Sequence, residues 1–194
     1  MQIHCTIKGM SPLLMNRFTE EAELSVSSTV KKVTKSSKGT PREQATAKAY
    51  RDEKGVLYIP AANIYSCIIQ AGKFTKLGKS KVTTTKSSLI PAAMVINEMV
   101  CSLNTKDFEV DSRSVVIPST GGRIMAHRPR LDEWETSFSI DLFDEDILSA
   151  DIVRMVIDDA GRKVGLGDFR PDRKGPFGRF VVTNWKVEKD KKAA

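Results

Sequence analysis

Long apolar runs are missing from this sequence. No stretch of 18 apolar residues occurs, so no segment is expected to cross a membrane as a helix. The first 18 residues hold His4, Lys8, Asn16 and Arg17 and no apolar core, so no secretory leader is expected. Cysteine is scarce: Cys5, Cys67 and Cys101 are odd in number, far apart, and each set in an apolar run, with no Cys-x-x-Cys pair. The two histidines, His4 and His127, do not stand at metal-ligand spacing. Neither a disulfide framework nor a metal or other cofactor site is expected. Buried, reduced thiols fit a reducing compartment and a cytoplasmic location.

Negative charge is also missing from particular stretches. Lys and Arg total 31 against 24 acids, a net of +7. Residues 73–86 carry Lys73, Lys76, Lys79, Lys81 and Lys86 with no acid, and residues 112–131 carry Arg113, Arg123, Arg128 and Arg130 with none. Between 31 and 54, eight cations face three acids in a segment rich in Ser, Thr and Lys. Such a segment reads as a solvated loop or as a basic projection that orders on an anionic partner. A basic balance of this kind suits nucleic acid or an anionic surface.

Apolar patterning supplies the fold. With 40% hydrophobic residues the chain can fill one core, so a single domain over 1–188 is expected, with an insertion at about 20–54 and a charged tail at 189–194. Residues 2–8 alternate as a strand, closed by Gly9 and Ser11-Pro12. Ile64, Cys67, Ile68 and Ala71 recur at helical steps, predicting a helix at about 61–72. Residues 89–103 are strand-like, and Thr136, Phe138, Ile140 and Leu142 mark one face of a strand at 136–142. Asp144-Glu145-Asp146 is read as opening a helix at about 145–163, and a last strand is expected at about 178–187. The adjacent Asp158 and Asp159 point about 100° apart on that helix and read as a solvated face. The order is βαββαβ, that of an α+β, ferredoxin-like domain.

Between the second helix and the last strand lies the most distinctive segment. Gly165, Gly167, Gly175 and Gly178 fall within 14 residues, interleaved with Arg170, Arg173, Lys174 and Arg179 and with Phe169, Phe177 and Phe180. Glycines let a backbone approach a phosphate chain and present N–H donors. The cations add attraction and counterion release. Lys174 is followed by Gly175-Pro176, which excludes a P-loop, and no helix follows Gly165-Leu166-Gly167, which excludes a dinucleotide fingerprint.

Val164-Gly165-Leu166-Gly167 and Gly175-Pro176-Phe177-Gly178-Arg179-Phe180 resemble the C-terminal glycine-rich loop of the RAMP superfamily, the RNA-binding proteins of CRISPR systems. Two further runs agree in order and spacing. Ile7-Lys8-Gly9-Met10-Ser11-Pro12-Leu13 resembles the first strand and turn of the subunits that coat guide RNA, and the run Asp52 to Ile64 resembles the segment before their first helix. The helix start departs from the family, with Ala61-Ala62-Asn63 in place of serines and no Arg or Lys in 64–72. The resemblance implies a ferredoxin-like (RRM-type) core, a basic thumb-like insertion, and a homo-oligomer or filament along single-stranded RNA, together with other effector subunits.

On that reading, nucleic-acid contacts fall to Lys8, Asn16 and Arg17, to Lys31, Lys32, Lys35, Lys38 and Arg42, to Arg123, Arg128 and Arg130, and to Gly165, Gly167, Arg170, Arg173, Lys174, Gly175, Gly178 and Arg179. Phe18, Phe169 or Phe177 would stack bases or hold them apart. Such contacts carry little sequence information. The chain also resembles small phage proteins that share Gly-Leu-Gly-Asp-Phe-Arg-Pro, which would make the polymer single-stranded DNA in replication or recombination. A guide-processing endoribonuclease would need a general base, with His127, set in an Arg-rich loop, a better candidate than His4. A RAMP backbone can also cut RNA with a metal held by an insertion Asp, and Asp52 is the only Asp in 25–55. A non-catalytic chain is the expectation, and an assembly protein with a basic surface is the fourth reading.

Overall fold

The computed structural model describes residues 1–18, 39–116 and 121–188. Lys31, Lys32, Lys35 and Lys38 lie outside the described residues, as does most of the expected insertion. The chain is a mixed α+β protein built on several antiparallel sheets.

Its main sheet has four strands: β1 (Gln2–Gly9), β6 (Met94–Ile96), β10 (Glu135–Leu142) and β11 (Phe180–Glu188), in the order β11-β1-β10-β6. The alternation seen in the sequence sets the register, which runs from Gln2 opposite Asp141 to Lys8 opposite Glu135. That pairing turns Ile3, Cys5, Ile7, Phe138, Ile140 and Leu142 to one face, where all are buried. Helices α2 (Ala61–Ala71) and α4 (Ala150–Asp159) contribute Ile64, Ile68, Val153, Val156 and Ile157 to that same core. Each fully buried aliphatic side chain there contributes about 1.5–3 kcal/mol.

A second layer is built from β2 (Leu13–Leu14), β8 (Glu109–Val116) and β9 (Arg123–Leu131), in the order β2-β9-β8. Of the acid-free stretch, residues 112–116 lie on β8 and residues 123–131 make up β9. His127 lies on β9, not in a loop, and its Nδ1 is 2.7 Å from Ser112 Oγ on the paired strand. Helix α1 (Pro41–Ala47) packs on the hairpin. This helix corrects the reading of residues 31–54 as loop over 41–47. Thr40 and Glu43 form a reciprocal capping box, and Pro41 presets the first turn. Short pieces complete the chain: β3 (Tyr58–Pro60) pairs with β7 (Val100–Ser102), β4 (Lys76–Leu77) with β5 (Ser80–Lys81), and the four-residue helix α3 (Ile90–Ala93) precedes β6. The strand-like run 89–103 thus opens with a helical turn, and its strands are Met94–Ile96 and Val100–Ser102.

The second long helix starts later than its acids suggest. Asp144 Oδ1 accepts from the N–H groups of Asp146 and Ile147, which ties the acids into a turn. Ser149 caps the helix instead, its Oγ accepting from Ile152 N. The helix then widens into a π-turn at Ala160–Val164. Gly161 is required there because a side chain would meet the Phe180 carbonyl.

Candidate nucleic-acid interface

The glycine-rich segment is built from the β1–β2 turn outward. Trp134 is buried and its indole N–H donates to the Ser11 carbonyl at 2.9 Å. Gly9 N donates to the Trp134 carbonyl, so residues 9–11 are fixed against one ring. The loop docks on that turn. Gly178 N donates to Pro12 O at 2.8 Å, Arg179 N to Ser11 Oγ at 3.0 Å, and Asp168 N to Leu14 O at 2.8 Å. Leu166 N donates to Gly178 O and closes the loop on itself.

This changes what the glycines do. Gly165, Gly167 and Gly178 have φ of +76°, +74° and +71°, and at Gly167 and Gly178 a Cβ would run into the carbonyl oxygens of Leu14 and Leu166. Gly175 would meet the Phe169 carbonyl in the same way. The amides of Gly165, Gly175 and Gly178 donate to Ala160, Arg170 and Pro12. Those three glycines permit close backbone packing and do not present free N–H groups to a phosphate.

Some side chains, in contrast, face outward, with Arg173 and Lys174 exposed. Phe169 is part exposed and packs on buried Phe177, ring centroids 6.1 Å apart. The Arg113 guanidinium from β8 covers Phe177 at 4.7 Å. Arg128 Nε from β9 lies 2.6 Å from Asp168 Oδ2, an ion pair by distance in which neither atom forms an aligned hydrogen bond. Arg170 and Arg173 flank Asp172 at 3.6 and 3.8 Å, and Lys73 reaches it from the end of α2 at 3.3 Å. The structure therefore brings together Lys73, Arg113, Arg128, Arg170, Arg173 and Lys174, part neutralised by Asp111, Asp168 and Asp172. Lys73 and Arg113 were absent from the sequence-based set, although both stood in acid-free stretches.

Other expected contacts lie elsewhere. Arg179 donates to the Arg162 carbonyl in the π-turn that follows α4. Arg42 donates to Phe108 O at 2.6 Å and lies over the Phe108 ring at 4.0 Å. Arg123 begins β9 at the far end of the hairpin. Lys8 and Arg130 line a groove of about 550 Å³ together with Asp107, Glu109, Asp132, Glu133 and Glu135. Arg130 Nη2 donates to Asp132 Oδ2 at 3.1 Å, and this bond holds the guanidinium further toward its charged form. Asn16, Arg17 and Phe18 are exposed just after β2. Asp52 Oδ1 accepts from Lys54 N and Val56 N and closes a turn.

A cavity of about 240 Å³ opens beside the loop, bounded by Gly165–Asp168 and Arg170 on one side and by β2, β3 and α2 on the others. Cys67 forms part of its floor, and burial pushes this thiol up to about 12. The uncovered face of the main sheet carries His4, Thr6, Ser137, Asn184 and Lys186. Its described residues include no Phe, Tyr or Trp ring, so its one aromatic group is the His4 imidazole, 3.7 Å from Glu188. Among the described residues no group of His, Cys, Asp or Glu could hold a metal ion, and no helix is long and apolar enough to cross a membrane. Against known proteins, no family model and no curated sequence matches the chain.

Proposed function

We propose that this protein binds single-stranded nucleic acid through the sugar-phosphate backbone, as a RAMP-type subunit that coats RNA in repeated copies. One observation carries the reading: Arg170, Arg173, Lys174 and Phe169 stand on a loop whose backbone is pinned to residues 11–14, with Arg113 and Lys73 alongside. Pinning lowers the entropy cost of binding, because these side chains start from a fixed base. A part-exposed ring among cations is the combination that single strands use, stacking plus electrostatics. Further support comes from the sheet order β11-β1-β10-β6 with α2 and α4 as crossovers, which is what a ferredoxin-like βαββαβ core requires. The hairpin β8–β9 and helix α1 form part of its thumb on this reading. The role involves no bond-making or bond-breaking step.

Fluorescence anisotropy of the full chain with matched single-stranded RNA, single-stranded DNA and duplex across a salt series tests it. RNA is expected to bind with a slope of about +0.7 per phosphate contact in log Kd against log salt. Arg173→Glu with Lys174→Glu is expected to flatten that slope by about 1.4, two contacts' worth. Preference for single-stranded DNA moves the reading to a strand-coating protein of replication or recombination. Absence of salt-dependent binding overturns it.

A further inference from the structure

The cavity beside the loop has a chemistry that backbone binding does not use. Its wall from β3 and the preceding chain presents Tyr58 and Tyr50, whose ring centroids are 5.8 Å apart. Its helical wall presents Asn63, Ser66 and Gln70 from one face of α2, at spacings of three and four residues. Ser66 and Gln70 contact each other at 3.4 Å. The side-chain amide of Asn63 and the hydroxyls of Tyr50 and Tyr58 make no hydrogen bond to any described residue. Arg170 lies at the mouth, its Nη1 donating to Gly167 O at 3.1 Å and its other end near Asp172.

At about 240 Å³ the space is smaller than the roughly 300–1,000 Å³ of sites for drug-sized ligands. It suits one planar heterocycle. Its walls combine aromatic rings for stacking with amide groups that offer a donor and an acceptor side by side. That pair matches the N6–H and N7 edge of adenine. A cation at the entrance suits the phosphate attached to such a base.

We propose that this cavity receives a single nucleobase, adenine by preference, turned out of the bound strand while Arg170 holds its phosphate. The inference rests on the strand-binding reading above and adds one position of base readout to it. The base comes from a strand and not from a free nucleotide, because the cavity opens onto the same loop that carries the strand-facing cations.

The test uses the full chain, a 12-residue oligo(U), and the same strand with one central adenosine or one central abasic unit, all followed by anisotropy. Adenosine 5′-monophosphate is titrated alone by calorimetry. The central adenosine is expected to tighten binding about tenfold over oligo(U), within the range of one bidentate amide contact, and the abasic unit to give no gain. Asn63→Ala with Gln70→Ala, at positions exposed or half-buried and open to alanine in a helix, is expected to cut that preference below about twofold with the salt slope unchanged. Strand binding with equal affinity for all three oligonucleotides overturns this inference and leaves strand coating standing. A preference that survives the double variant also overturns it. Binding of the mononucleotide without any strand binding keeps a base site and overturns both its strand source and the proposed function. Binding of neither overturns both.

Discussion

Alanine at Gly178 and alanine at Gly55 pose the same backbone problem in different surroundings. Both glycines are left-handed, with φ of +71° and +78°. Both substitutions therefore cost about 1–2 kcal/mol for placing a Cβ in that region. Both also gain similarly from a stiffer unfolded chain, about 0.4–1 kcal/mol. The difference is local. At Gly55 a Cβ meets nothing within 4 Å, whereas at Gly178 it runs into the backbone of Leu166. To relieve that clash the loop must lift, and the hydrogen bonds from Leu166 N, Gly178 N and Arg179 N are at risk together. At about 0.5–1.5 kcal/mol each, their loss adds roughly 1.5–4.5 kcal/mol. Gly178→Ala is expected to lose about 1.5–6 kcal/mol in urea unfolding and Gly55→Ala about 0–1.5. The comparison holds where the two variants share the wild-type m value. Equal losses would refute the packing role assigned to the loop glycines. The loop would then be free to move, and the phosphate-cradle reading of its amides would return.

Further outcomes follow from the same geometry. Asp168→Asn removes a carboxylate from the cationic face and frees Arg128, so strand binding is expected to tighten at low salt while stability falls by only about 1 kcal/mol, the pair being partly exposed; weaker binding in anisotropy contradicts the placement of the strand on this face. Burial pushes the thiols of Cys5, Cys67 and Cys101 from 9.0 up to about 12, so thiol reagents at pH 8 are expected to label none of them until the chain unfolds. The fold holds these protons more tightly than the unfolded chain does. The associated stability is complete below pH 9 and is lost as pH rises from about 9 toward 12, which an alkaline unfolding series checks. Lys8→Ala is expected to change strand affinity less than twofold, against at least fivefold for Lys174→Ala, because Lys8 shares its groove with five carboxylates; equal losses by anisotropy place the strand over that groove.

The main sheet was legible because strict alternation in 2–8 and 136–142 leaves only one register that buries Ile3, Cys5, Ile7, Phe138 and Ile140. Helix α2 was legible from its three- and four-residue steps. The start of α4 was misplaced because acids stabilise a helix N-terminus and also close Asx turns, and only the competing Ser149 cap decides between them. Helix α1 was hidden by its composition, although Thr40-Pro41-Arg42-Glu43 carries a capping-box signature that could have revealed it. At the candidate site, cations and glycines stood out in the sequence. Their division of labour did not, since whether a glycine serves a ligand or a neighbouring carbonyl depends on what the turn at 11–14 brings beside it. The amides and rings of the cavity were invisible for the same reason: Tyr50, Tyr58, Asn63 and Gln70 become one surface only when β3 and α2 fold against the loop.

The distribution of carboxylates narrows where a polyanion can run. Lys8 and Arg130, on strands next to the β1–β2 turn, sit among Asp107, Glu109, Asp132, Glu133 and Glu135. A phosphate entering that groove meets repulsion at short range, and the ion pair of Arg130 with Asp132 leaves little positive field to offset it. On the loop side the balance reverses, with six cations set against three acids that are each already paired. A strand attracted by the net charge of the whole chain is therefore steered to the loop and away from the groove. Once there it lies beside a cavity into which α2 offers amides to a base, so electrostatics and the cavity act on the same stretch of polymer.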